Sequence, residues 1–220
     1  MKQYKDEKAI ISLTSWKARI NTVSKTIFSL LKNCPGFHIV LVLSEEEFPE
    51  KEKELPENLL SLVENDLIEI LWVYKNYRSF KKVLFTMQKY PEVPVISADD
   101  DCIYSCNYAQ LLYDMWTLNR KSVITSCENY VFNYMYLPNG CMALYFPHCL
   151  DEAIPLLSDR ILATNNDDMF YGYLLHKKGI GYKYIHIRYP QFHDEIEAMG
   201  ATGKYSRGSD VLDILKDELK

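Results

Sequence analysis

Apolar residues come in short runs separated by segments of helical periodicity. Residues 9–14 are a β-rich run ending at Thr14 and Ser15, which predicts a first strand. Over 23–33, Val23, Ile27, Leu30 and Leu31 fall on one helical face, and Pro35 and Gly36 stop the helix. Residues 38–43 form a second, apolar run, as a parallel strand buried on both faces requires. The acidic, proline-punctuated stretch 45–55 predicts a loop, 59–63 a short helix and 68–73 a third strand. Phe80, Val83, Leu84 and Met87 recur at i, i+3, i+4 and i+7, marking a helix over 79–90. A strand beginning at Val93 then runs through Val95, Ile96 and Ser97 into three consecutive carboxylates, Asp99, Asp100 and Asp101.

The pattern changes after Asp101. A helix is expected over 108–118, strands over 123–126, 130–136 and 142–146, and a turn at Pro138, Asn139 and Gly140. A short helix over 151–157 follows. Asn165, Asn166, Asp167 and Asp168 precede a helix over 169–177 that Gly179 ends. A last strand is expected over 182–187 and an irregular polar segment over 188–208, containing His193 and Asp194. Val211, Leu212, Leu215 and Leu219 form the apolar face of a terminal helix that packs on the domain or a partner. Strands alternating with helices predict an α/β domain with a mostly parallel, helix-covered central sheet and a small antiparallel part in its second half. Ligands of such sheets bind beyond the carboxyl ends of the strands, where Thr14, Ser15 and the three aspartates fall.

Composition narrows the function. The 220 residues suit one domain, 48% are apolar, and no internal repeat or linker divides them. The net charge of −5 argues against nucleic acid as the partner. The polar start of the chain and the lack of a bilayer-length apolar stretch predict no signal peptide, no transmembrane segment and a cytoplasmic location. Six cysteines without a CxxC pair argue for reduced thiols rather than a zinc or redox motif. The 17 tyrosines fit either a compositional bias or stacking on sugars and bases.

No glycine-rich phosphate loop and no nucleophile elbow is present. What remains is acidic and basic. Three adjacent aspartates fit a solvated turn or a hard divalent cation, Mg²⁺ or Mn²⁺. Strand alternation would put Asp99 and Asp101 on one side, as partner and main ligand, with Asp100 facing elsewhere. Arg78, Lys81 and Lys82 open the preceding helix, where an anion or plain solvent could meet them. Asp167 and Asp168 fit an N-cap, a general base, or both. His193, beside Asp194, is a candidate further metal ligand.

These segments, taken in order, resemble GT-A-fold glycosyltransferases. The resemblance runs through Thr14, Ser15, Arg19 and Ile20 after the first strand, then Ser79, Phe80, Lys81 and Lys82, then Asp99, Asp100, Asp101 and Tyr104. It ends near Asp167, Asp168 and Phe170, and is strongest to bacterial enzymes of surface-polysaccharide synthesis. It implies a Rossmann-like GT-A sheet, with residues 1–101 as the nucleotide-binding half, 102–187 as the acceptor half and 188–220 as an extension. It implies that Thr14, Ser15 and Arg19 line the base and ribose, and that Lys82 with Arg78 meets the diphosphate. Asp99 and Asp101 would be the DxD pair holding Mn²⁺ or Mg²⁺, and Asp168 or Asp167 the acceptor-side carboxylate. The expected donor is a nucleotide-diphosphate sugar, and the acceptor a saccharide or lipid-linked saccharide. A homodimer and a peripheral contact with the inner membrane face are open alternatives. So are two other functions: a sugar-phosphate nucleotidyltransferase, and a sugar-nucleotide-binding subunit without turnover. Against the nucleotidyltransferase, no glycine follows the first strand.

Overall fold

The computed structural model describes residues 8–126, 131–138, 140–193 and 207–220. Its first half follows the apolar pattern closely. Strand β1 (Ile10–Thr14), helix α1 (Val23–Asn33), strand β2 (His38–Ser44), helix α2 (Glu57–Glu64), strand β3 (Glu69–Val73), helix α3 (Lys81–Lys89) and strand β4 (Val95–Ser97) come in that order. Helix α3 is entered by a 3-10 turn, Arg78–Phe80, so the helix expected over 79–90 is shorter and begins irregularly. The stretch expected as a loop over 45–55 contains a 3-10 turn, Lys51–Glu54.

The second half holds β5 (Cys102–Ile103), α4 (Tyr108–Leu118), β6 (Ser122–Thr125), β7 (Val131–Phe132), β8 (Met135–Tyr136), β9 (Ala143–Tyr145), α5 (Asp159–Leu162), α6 (Asp167–Lys177), β10 (Gly181–Tyr184), β11 (Gln191–Phe192) and α7 (Gly208–Glu218). Two expectations fail here and one helix was not expected. Of the strand expected over 130–136, Tyr130 lies outside the described residues and 131–136 form a tight hairpin, because Asn133 and Tyr134 take positive φ (48° and 67°) and reverse the chain. The helix expected over 151–157 is a 3-10 turn, Ile154–Leu156, because Pro155 lacks the N–H that would continue it. Helix α5, capped by Ser158 Oγ at the Ile161 N–H, went unanticipated because four residues hold too few positions to show a period. Of the expected turn at Pro138, Asn139 and Gly140, Asn139 lies outside the described residues, as does most of the segment 188–208.

The central sheet has seven strands in the order β10-β6-β9-β4-β1-β2-β3. All its pairings are parallel except those of β9, which runs antiparallel to β4 and β6. Two small antiparallel ribbons, β5 with β11 and β7 with β8, stand apart from it. The fold is therefore mixed α/β with a mostly parallel sheet flanked by helices. Strand alternation sorts the core onto two faces. Ile11, Leu13, Ile39, Leu41 and Leu43 pack under α1, α2 and α4, while Val95, Ala143 and Tyr145 pack under α3, α6 and α7. The chain runs outward from β1 through β2 to β3 and returns on the other side as β4. That reversal is a topological switch point at the carboxyl ends of β1 and β4, the place where open α/β sheets take ligands.

Among the described residues, no helix is long and apolar enough to cross a membrane. None of Cys34, Cys102, Cys106, Cys141 and Cys149 is in a disulfide.

Candidate active site

Strand β4 stops at Ser97, two residues before the first carboxylate, so strand alternation does not reach the aspartates. The Ala98 N–H still bonds the Ser12 carbonyl of β1 at 2.9 Å. The chain then turns away from the sheet. Tyr104 fixes this turn: its hydroxyl accepts the Asp99 N–H at 2.9 Å and donates to the Cys141 carbonyl at 2.9 Å. Strand β11 pairs with β5 immediately after the turn, and the His193 N–H bonds the Asp101 carbonyl at 2.9 Å.

The three aspartates have different partners. Asp100, 7% exposed, accepts Ser15 Oγ at 2.7 Å and Arg19 Nη1 at 2.8 Å. The same Arg19 nitrogen lies 3.0 Å from Asp101 Oδ2. Asp99 accepts Lys82 Nζ at 2.8 Å. Burial pushes the Asp101 carboxyl above the usual carboxylate range and the charge of Asp99 adds to this, against the pull of Arg19. Burial likewise raises Asp100, against Arg19 and Ser15. Asp100 and Asp101 are equally buried, at 7% exposure, and share Arg19, and Asp100 alone also accepts the Ser15 hydroxyl.

Lys82 is the hub. It is 4% exposed, in the first turn of α3, with Nζ 2.8 Å from Asp99 and 3.5 Å from Asp167 Oδ2. Burial works against its charge, but Asp167, Asp99 and Asp168 outweigh that and hold it well above the ordinary lysine range. Gly140 closes this pocket: a Cβ there would stand 3.2 Å from Lys82 Nζ and 3.3 Å from Asp168 Oδ1. Neither Asp167 nor Asp168 is needed as a cap, because Asn166 Oδ1 accepts the Met169 N–H at 3.1 Å. The weak turn signal at Gly140 was the sequence's only mark of this contact.

Arg78 reaches across to the same helix start, donating Nη1 to Asn165 Oδ1 at 2.5 Å. Both residues have positive φ (52° and 51°), a costly backbone for a side chain with a Cβ. Thr14 Oγ1 is turned into the sheet, donating to the Val42 carbonyl at 2.7 Å. Lys81, 2% exposed, donates to the Arg78 carbonyl at 3.0 Å, and burial brings its pKa down to about 8.

The structure thus gathers Ser15, Arg19, Asp99, Asp100, Asp101, Lys82, Asp167 and Asp168 at the end of the sheet, with Arg78 at its rim. The donor set suits a hard divalent cation, because Asp99 and Asp101 repel one another and offer carboxylate oxygens. Among the described residues, no three His, Cys, Asp or Glu side chains form a ready metal cluster. His193 turns its Nε2 to Thr26 Oγ1 at 2.9 Å. Thr26 Oγ1 spends its proton on the Asp100 carbonyl at 2.8 Å, so Nε2 carries the ring proton. His193 Nδ1 is buried and has no hydrogen-bond partner among the described residues. Asp194 lies outside the described residues.

No protein-family model and no curated protein matches the sequence. Solved structures do match the fold. A mannosyltransferase from Pyrobaculum calidifontis, solved in complex with GDP-Man and Mn²⁺, aligns with a TM-score of 0.58 at 9% identity, over 90% of this chain and 60% of that one. The chain therefore spans about three-fifths of that enzyme's length. A cytidylyltransferase from Leptospira borgpetersenii serovar Hardjo-bovis aligns with a TM-score of 0.52 at 13% identity, over 96% of this chain and 94% of that one. The chain has the Rossmann-like sheet architecture of these two enzymes.

Proposed function

We propose that this chain is a metal-dependent glycosyltransferase. It would move a sugar from a nucleotide-diphosphate donor to a saccharide or lipid-linked acceptor, in surface-polysaccharide synthesis. One observation carries the reading. Lys82 joins the carboxylate turn after β4 to the carboxylate pair opening α6, at the point where the sheet order reverses. A donor site and an acceptor-side base need that adjacency.

Asp99 and Asp101 would hold Mn²⁺ or Mg²⁺, with His193 Nδ1 as a further ligand. The metal would neutralise charge on the diphosphate leaving group. Ser15, Arg19 and Thr14 would shape the nucleotide side of the site, and Arg78 with Lys82 would face the diphosphate. With inversion, the acceptor oxygen bonds to the anomeric carbon as the bond from that carbon to the diphosphate breaks. The diphosphate leaves with the electron pair, and Asp168 takes the hydroxyl proton. Asp167 keeps Lys82 charged. The nucleotide half would span residues 1–101 and the acceptor half 102–187.

The Asp101→Ala variant tests this. It is expected to lose metal-stimulated hydrolysis of the donor, scored against a panel of GDP-, UDP-, CDP- and dTDP-sugars. Full hydrolysis in that variant would refute the reading. The likeness to a cytidylyltransferase over nearly the whole of both chains favours a second reading, transfer of a nucleotide to a sugar phosphate. Its weakness is the segment Thr14, Ser15, Trp16, Lys17, Ala18, Arg19, which has no glycine to admit a triphosphate. Pyrophosphate release from a nucleoside triphosphate and a sugar 1-phosphate would establish it.

A further inference from the structure

The hairpin β7–β8 is aromatic where a solvent-facing ribbon is normally polar. Val131 and Tyr136 are paired across its outer side, with 45% and 43% exposure, and Tyr134 at the tip is 92% exposed. The inner side is buried through Met135, and Leu137 beyond it is buried too. Two glycines fix the hairpin's position. A Cβ on Gly172 of α6 would stand 2.7 Å from Leu137 Cδ2 and 2.9 Å from the Tyr136 carbonyl oxygen. One on Gly208 of α7 would stand 3.0 Å from Phe132 Cε2. Gly172 is one helical turn beyond Asp168, so the hairpin is seated on the face of α6 that carries that carboxylate.

Tyr136 also stacks on Tyr182 of β10, with ring centroids 5.6 Å apart and planes at 25°. The Tyr182 hydroxyl is buried and has no partner among the described residues. Burial, then Cys149 and Asp168, disfavours its ionisation, which puts it within electrostatic reach of that carboxylate. The Tyr145 hydroxyl, on a fully buried ring, is likewise without a partner and likewise feels Asp168. Along the chain, two residues separate the buried Leu137 from Gly140, which abuts Lys82 and Asp168.

The tip is costly. A two-residue hairpin with positive φ at both positions favours Asn followed by Gly, and this chain has Asn133 followed by Tyr134. A side chain held in the left-handed region and fully in solvent does nothing for the core. Strain of this kind marks functional positions.

We propose that the outer face of this hairpin is an acceptor platform, on which Tyr134 and Tyr136 stack against a pyranose ring of a saccharide. The inference rests on the reading of Asp168 as the acceptor-side carboxylate. The electron-rich face of a tyrosine ring suits the weakly positive C–H face of a sugar, and its hydroxyl suits the sugar's rim. Tyr136 stands on Tyr182, whose ionisation Asp168 disfavours, so a further unit of the same saccharide would extend past that pair toward the carboxylate.

The test is saturation-transfer NMR with cellobiose, maltose, lactose and chitobiose as probes, on the wild-type protein and on Tyr134→Gly. At least one disaccharide is expected to receive saturation from the wild-type protein. Its affinity is expected to fall on the order of tenfold in Tyr134→Gly, the size of one aromatic contact. That variant keeps the turn's backbone and is expected to melt no lower than the wild type, so lost binding is not lost folding. The proposal is overturned if none of the four disaccharides binds, or if binding survives Tyr134→Gly. It is also overturned if the substitution only dissolves a dimer of the chain. The readout needs no donor and no turnover. Disaccharide binding through Tyr134 without any donor binding would sink the transferase reading alone, and donor binding without disaccharide binding would sink the platform alone.

Discussion

Replacing Lys82 with methionine keeps the length of the side chain and deletes its charge. Lys82 is 4% exposed and sits against Asp99 at 2.8 Å and Asp167 at 3.5 Å, with Asp168 also acting on it. In Lys82→Met, Asp99 and Asp167 lose the cation they share, and no other described residue is ion-paired with either. Breaking a buried ion pair by removing one partner costs about 3–5 kcal/mol, because the remaining charge stays desolvated. For a chain of this size that corresponds to a fall in Tm of roughly 10 °C. The loss should hold across neutral pH. The folded lysine titrates well above its unfolded value, so its contribution is complete below that unfolded value and fades only as pH rises through the folded one. Chemical unfolding in urea, with and without Asp167→Asn, is the assay. Asp167→Asn should recover part of the loss in the Lys82→Met background and cost stability on its own. The double variant would then show a coupling of about 1–3 kcal/mol. A Lys82→Met protein within about 0.5 kcal/mol of the wild type, or a double variant whose effects simply add, would refute the hub.

Three further outcomes are expected. Burial alone would raise the pKa of Glu69, but bonds from His38, Lys89 and Tyr90 outweigh it and bring the group down to about 2. Its stabilisation is therefore present above the ordinary glutamate range and is lost as pH falls from there through about 2, and Glu69→Gln should flatten that part of a stability-against-pH curve. Gly172→Ala places a methyl 2.9 Å from the Tyr136 carbonyl, a backbone atom that cannot swing aside, and should cost about 1–3 kcal/mol in thermal unfolding. Gly140→Ala presses on the tip of Lys82 and on Asp168, both able to give by a few tenths of an ångström. It should leave Tm nearly unchanged while lowering donor turnover several-fold, and a variant with wild-type turnover would argue that the Lys82 pocket is not where transfer occurs.

The strands and helices of the first half could be read from the sequence because each buries a face wide enough to impose a period. β2 is apolar nearly throughout since both of its faces are covered, and α1 keeps Val23, Ile27 and Leu30 on one stripe. The ribbons β5–β11 and β7–β8 could not be read this way. Each strand is two residues long, and its partner is chosen by a turn or by a segment some 90 residues away in sequence. The positive φ of Asn133 and Tyr134 also left no trace, because neither position carries the glycine that usually marks it. In the candidate site the charged residues stood out because burying them needs a reason. The contacts that Tyr104, Thr26, Asn165 and Gly140 make with them did not, since a hydroxyl, an amide or a missing Cβ is ordinary anywhere in a chain.

The three aspartates show how far a sequence pattern reaches. Period-two alternation separated Asp100 from its neighbours, yet the strand that would impose it ends at Ser97. The separation arises instead from cations supplied by other elements. Arg19, beyond the end of β1, and Lys82, in the first turn of α3, flank the turn from two sides. Asp100 is held by both Arg19 and Ser15, so a further ligand on it would have to displace a bond to the segment after β1. Asp101 shares that arginine but is repelled by Asp99, and Asp99 is held toward α6 by Lys82. Two carboxylates are thus kept close while the one between them is taken out of play. The proposed divalent cation would gain from such an arrangement, because folding already brings the two charges together. The middle residue ties the turn to the end of β1, and the outer two are then oriented by the turn itself.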